Sequence, residues 1–174
     1  MTTASDTRFR VRLARYDDLP ALHAVIQRAY RGDSARTGWT HEADLLDDER
    51  ITPETLAAII NDPSSLLLLA EQGGLPVGSV QLSDKGDGEV YLGLFCIDPA
   101  VQAGGLGRAL LSAAEEGAHA HFGATRTTMT VIDSRTELIA YYVRRGYSEV
   151  AWGLDFVTAV DPPLFMTKLQ KCLG

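Results

Sequence analysis

The run Asp98-Pro-Ala-Val-Gln102-Ala103-Gly104-Gly105-Leu106-Gly107-Arg108 is where residue types and spacing first suggest chemistry. Its glycines let a backbone approach a ligand with no Cβ in the way. The residues after them, through Arg108-Ala-Leu-Leu111, read as the opening of a helix. The first turn of a helix carries N–H groups with no internal partner, and the helix dipole is positive there. Together these features make a cradle for an anion, most often a phosphate group. The element that must deliver the loop is the apolar run 90–97, which reads as a buried strand. Asp98-Pro99 stops it, because proline cannot donate to a sheet ladder and restricts the residue before it. The bland reading of the same residues is a glycine-rich turn between a strand and a packed helix.

Two familiar phosphate loops do not fit. A P-loop ends in Gly-Lys-Ser/Thr, whereas Gly107 is followed by Arg108-Ala109. A dinucleotide fingerprint needs a third glycine where Leu110 stands, and an acid about 20 residues further on. The two cysteines, Cys96 and Cys172, make neither a disulfide framework nor a metal site. Cys96 lies in the apolar run and reads as a small buried hydrophobe. The four histidines show no metal-ligand spacing, so no metal is expected. A formal charge of −7 argues against a nucleic-acid partner. No apolar stretch approaches a membrane span. The polar start of the chain has no signal-peptide core, which leads to the expectation of a cytoplasmic protein. Lys171-Cys-Leu-Gly174 is not a prenylation box.

The remaining elements follow from periodicity. Residues 8–15 alternate, with Phe9, Val11 and Leu13 on the expected buried face and arginines opposite. Asp17-Asp18 starts a helix with Pro20 in its first turn and an inward stripe of Leu22, Val25, Ile26 and Tyr30, ended by Gly32. Residues 32–52 are the least regular part, with Trp39, His41 and the acids Glu42, Asp44, Asp47, Asp48 and Glu49. Thr40 could cap a short helix there that includes Leu45 and Leu46. Thr52-Pro53 opens another helix to residue 60. Residues 66–71, 77–83 and 90–97 form a meander with turns at Gly73-Gly74 and at 84–88. A helix over 105–122 turns Leu106, Leu110, Ala113 and Ala114 inward. A strand at 126–132, a helix at 136–145 and strands at 147–152 and 164–169 complete the chain. This is an α/β fold with a mixed, mostly antiparallel central sheet flanked by helices. It is expected as one domain over 8–174 after a flexible N-terminus of residues 1–7.

Gln102-x-x-Gly105-x-Gly107 after a strand ending in Asp-Pro resembles the pyrophosphate loop of the GCN5-related N-acetyltransferases (GNAT). Tyr142-Val-Arg-Arg-Gly146-Tyr147 resembles that family's second signature, Y-x-x-x-G-F/Y. The order β-α-α-β-β-β-α-β-α-β-β is also the family's, over nearly the whole chain.

The resemblance implies acetyl-CoA as cosubstrate, with no metal, and transfer of its acetyl group to a primary amine. It places the pyrophosphate on Gln102, Ala103, Gly104, Gly105, Leu106, Gly107 and Arg108. It places the pantetheine arm and the thioester oxygen on backbone amides of Phe95, Cys96 and Ile97 in a locally splayed strand. Tyr142 stands where the family has a tyrosine near the sulfur that acts as general acid. A tyrosine, with a reference pKa of about 10, can exchange a proton with an alkyl thiolate. Tyr141 is the alternative, though spacing to Gly146 favours Tyr142. Two departures stand out: Arg135 replaces the asparagine usual early in the second motif, and Gln102 stands where many members have arginine. Arg135 is then an anion or substrate contact. The base is open between Glu89, the acids of 42–49 and a water relay, since the family's usual acid position is Tyr91 or Leu92 here. Trp39, His41 and Tyr91 are expected on the acceptor wall. Direct transfer in a ternary complex is expected, since no covalent nucleophile is visible. The alternatives are a non-catalytic acyl-CoA-binding module and acetylation of a protein or peptide amine. In the family the late strands pair across dimers, which leaves a homodimer open.

Overall fold

The computed structural model describes residues 9–30, 51–101, 105–156 and 161–174. The strands are β1 (Arg10–Leu13), β2 (Ser65–Gln72), β3 (Leu75–Gly86), β4 (Glu89–Ile97), β5 (Arg126–Ile132), β6 (Ser148–Asp155) and β7 (Phe165–Cys172). The helices are α1 (Leu19–Tyr30), α2 (Pro53–Asn61), α3 (Leu106–Phe122) and α4 (Thr136–Arg144). The sheet order is β1-β2-β3-β4-β5-β7-β6. β1 with β2, β5 with β7 and β6 with β7 are antiparallel, whereas β4 and β5 are parallel over Glu89–Tyr91. The predicted α/β class, mostly antiparallel sheet and element order are all found. No helix among the described residues is long and apolar enough to cross a membrane.

The chain divides into two compact units, Met1–Leu82 with Leu94–Ala114, and Ser83–Gly93 with Glu115–Gly174. In the first, α1 buries Leu22, Val25, Ile26, Ala29 and Tyr30, the i, i+3, i+4, i+7, i+8 stripe of an amphipathic helix. Leu56 and Ile59 of α2, Leu67 and Leu69 of β2, and Leu94 and Cys96 of β4 join Leu22 and Ile26 in one apolar cluster. Thr52 caps α2 as predicted, its hydroxyl accepting from the Thr55 amide at 3.1 Å with Pro53 following. In the second unit, Met129 and Val131 of β5, Leu138 and Tyr142 of α4 and Leu169 of β7 are buried.

Three local expectations are corrected. The predicted turn over 84–88 is tighter: β3 runs to Gly86 and the reversal is Asp87-Gly88, with φ of 53° and 78°. Two positive φ values match the twist of a hairpin, and Asp-Gly is the pair that adopts them most readily. In β1 the buried face is not the one alternation suggested. Leu13 is 54 % exposed, while the Arg12 side chain is largely enclosed. Arg12 donates to both Asp18 oxygens at 2.8 Å and to Glu71 at 3.1 Å, so carboxylates turn an arginine inward. On α3, Leu111 and Ala118 are buried with Leu106, Leu110 and Ala114, and Ala113 is only half-buried.

Candidate active site

In the first unit the strand that leads to the glycine loop is kinked. Leu94 has φ of 48°, a left-handed conformation that a leucine rarely adopts. Such a residue costs on the order of 1–3 kcal/mol and is found where structure serves a ligand or a reaction. The kink redirects the carbonyls that follow. Ser79 Oγ donates to the Leu94 carbonyl at 2.7 Å, and the Tyr30 hydroxyl donates to the Phe95 carbonyl, both bonds being buried. Gly78 on β3 makes room for this path: a Cβ there would lie 2.7 Å from the Cys96 carbonyl oxygen and 2.9 Å from Ile97 Cδ1. Cys96 is fully buried, as predicted.

The turn after β4 is tied down at Asp98. Its N–H donates to the Val77 carbonyl at 2.7 Å, its Oδ1 accepts from the Ala100 amide at 3.1 Å, and its Oδ2 accepts from Arg28 of α1 at 2.7 Å. Gly105 has φ of 79°, where glycine alone is unstrained, and a Cβ there would meet nothing within 4 Å. The first helical bond of α3 runs from the Ala109 amide to the Gly105 carbonyl. Among the described residues the amides of Leu106, Gly107 and Arg108 have no intrahelical acceptor, and Arg108 is exposed. The chemistry available is that of a strand with displaced amides followed by an anion-seeking helix start. Gln102, Ala103 and Gly104 lie outside the described residues, as do Trp39, His41 and the acids of 42–49.

In the second unit, Tyr142 is 4 % exposed on α4 and edge-on to Tyr141 and Tyr147, with ring centroids 5.4 and 5.9 Å away. Arg135 occupies the N-cap position of α4 without a side-chain capping bond. Glu89, the first residue of β4, faces two cations, with Lys168 at 3.4 Å and Arg126 at 3.6 Å. Tyr91 is half-buried; its hydroxyl lies 2.6 Å from Thr130 Oγ1, and Lys85 stands 5.8 Å over its ring. Tyr147 is more deeply engaged than its motif position suggested. Its hydroxyl donates to Glu115 at 3.2 Å and lies 2.9 Å from Thr127 Oγ1, and burial, followed by the nearby Glu115 charge, pushes its pKa upward. Lys171 completes that group with a 3.0 Å ion pair to Glu115.

A model of the Acetyltransferase (GNAT) domain matches residues 34–159, well over half of the chain. The chain belongs to the GNAT acetyltransferase family. Solved structures agree on the fold. The ribosomal-protein-S18-alanine N-acetyltransferase of Escherichia coli superposes with a TM-score of 0.74 at 20 % identity, covering 96 % of this chain and 95 % of its own. The yncA structure of Salmonella typhimurium, with its cofactor acetyl-CoA, gives 0.74 at 18 % identity over 96 % and 95 %. The spermidine N-acetyltransferase of Vibrio cholerae, in complex with CoA and spermine, gives 0.73 at 14 % over 96 % of each. No curated protein matches the chain by sequence.

The sequence pattern singles out Gly105, Gly107 and Tyr142 as site candidates and gives no such prominence to Tyr30, Ser79, Gly78 or Arg28. Gly78, a glycine inside a strand pattern, is a signal from which a close backbone approach could have been read. Leu94 carries no signal at all, because leucine is not a residue type that favours positive φ.

Proposed function

We propose that this chain transfers the acetyl group of acetyl-CoA to a primary amine of a small molecule, directly, within a ternary complex. The observation that carries the reading is the kink at Leu94, placed just before a tethered turn and a helix opening on glycine. In this reading the pyrophosphate takes the amides of Gly105, Leu106 and Gly107, preceded by Gln102, Ala103 and Gly104, with Arg108 and Arg135 as cationic contacts. The amides of Phe95, Cys96 and Ile97 hold the pantetheine arm and the thioester oxygen, as an added strand would. The amine nitrogen attacks the thioester carbon. A C–N bond forms, negative charge gathers on the carbonyl oxygen, and the amides stabilise it. As the tetrahedral intermediate collapses, the C–S bond breaks and Tyr142 gives its proton to the thiolate. The proton lost by the ammonium goes to Glu89 or to a water. The double ion pairing of Glu89 favours the water, because a carboxylate held by Lys168 and Arg126 must break those contacts to act. Tyr91, Trp39 and His41 are assigned to the acceptor wall.

The test is thiol release from acetyl-CoA with a panel of amino acids, polyamines and aminoglycosides, run on the wild type and Tyr142→Phe. Amine-dependent release that falls about 10²-fold in the variant supports the transferase and its acid. Acetyl-CoA binding without release from any amine would instead favour a binding module.

A further inference from the structure

We propose that Tyr30 and Ser79 are positioning residues that aim the amides of Phe95 and Cys96 during acetyl transfer. The inference rests on the transferase reading above. A trans peptide is planar, so the carbonyl of one residue and the N–H of the next share a plane and point oppositely. The Leu94 carbonyl therefore fixes the direction of the Phe95 N–H, and the Phe95 carbonyl fixes that of Cys96. These two carbonyls are the ones held by side-chain hydroxyls, Ser79 on Leu94 at 2.7 Å and Tyr30 on Phe95. Ser79 is fully buried and also lies 3.4 Å from Cys96 Sγ, while Tyr30 is 9 % exposed.

The positive φ of Leu94 turns its peptide away from regular strand geometry. Buried carbonyls in such a stretch need donors from elsewhere. An amide whose carbonyl accepts a hydrogen bond is also polarised, and its N–H becomes a stronger donor. The two hydroxyls thus orient and sharpen the same pair of amides. α1 grips the strand end twice, through Tyr30 at residue 95 and through Arg28 at Asp98. The kinked stretch is thereby fixed before any ligand arrives, which is the preorganisation that transition-state stabilisation requires.

The test uses acetyl-CoA labelled with ¹³C at the acetyl carbonyl and follows its carbonyl stretch by difference infrared spectroscopy. The proteins are the wild type, Tyr30→Phe and Ser79→Ala, each checked for cooperative thermal unfolding. The carbonyl band should lie below that of free acetyl-CoA in the wild type and move back toward it in both variants. In steady state kcat should fall roughly tenfold in each, less than the ~10²–10³-fold lost with an oxyanion donor itself. Affinity for CoA, which lacks the acetyl carbonyl, should fall by a smaller factor than kcat, because the pantetheine contacts of the same amides are loosened while the transition-state contact is lost. An unchanged band and kcat in both variants would overturn the proposal while leaving the transferase intact. So would a loss of CoA affinity that matched the loss of kcat, which marks a merely structural role. A wild type that binds no acetyl-CoA would refute the transferase reading, and this inference with it.

Discussion

Replacing Gly78 by alanine adds one methyl group at the point where β3 passes the kinked stretch of β4. The new Cβ would stand 2.7 Å from the Cys96 carbonyl oxygen, 2.9 Å from Ile97 Cδ1 and 3.5 Å from Leu110 Cδ2. The isoleucine methyl can rotate aside, but the carbonyl belongs to the backbone and can retreat only if the strand moves. Overpacking of this kind costs about 1–3 kcal/mol. For a chain of this size each kcal/mol lowers the unfolding midpoint by about 2–4 °C, so a fall of roughly 2–12 °C is expected. The same displacement shifts Cys96 and Ile97, so in the transferase reading CoA affinity should fall as well. Thermal unfolding followed by circular dichroism, paired with calorimetric titration of CoA, reads both effects. A variant with the wild-type midpoint and wild-type CoA affinity would refute the close-approach argument and the role given to this stretch.

Gly105→Ala meets no neighbour but must hold φ near 79°, a left-handed conformation that costs an alanine roughly 1–2 kcal/mol. CoA titration should show about tenfold weaker binding if that cost falls on the loop. Asp18 is held down to about 2 from 3.8, chiefly by hydrogen bonds from Arg12 and also by the Arg15 amide. A depressed carboxyl stabilises the fold above its unfolded pKa and loses that contribution as the pH falls from about 4 towards 2. Asp18→Asn should therefore cost about 1 kcal/mol at neutral pH, after allowance for solvent screening, and flatten that part of the acid unfolding curve. Thr52→Ala removes the cap of α2 and should lower stability by ~1 kcal/mol in denaturant unfolding, with CoA affinity unchanged.

The parts of the molecule that were legible beforehand are those governed by local rules. The stripe of α1, the Thr52-Pro53 start of α2 and the Gly73-Gly74 reversal each follow from residues within a few positions of one another. What escaped depends on partners distant in sequence. Arg12 turns inward only because Asp18 and Glu71 meet it there, so alternation misassigned the face of β1. The Tyr30 bond to Phe95 spans 65 residues and that of Ser79 to Leu94 spans 15. Tyr30 read as one more core residue of an apolar stripe, and Ser79 as a polar residue in a strand. Neither position announces that its hydroxyl serves a backbone carbonyl. The left-handed Leu94 is set by that tertiary environment, against the preference of its own side chain.

The measurement that tests the central claim most directly follows the acetyl group itself. The protein would be incubated with a mixture of amines and acetyl-CoA carrying ¹³C in its acetyl group, and the products read by mass spectrometry and NMR. The transferase account predicts labelled acetyl in an amide of at least one amine, at a rate that depends on the protein and drops in Tyr142→Phe. Label that remains entirely in acetyl-CoA and free acetate, as it does without protein, would contradict it.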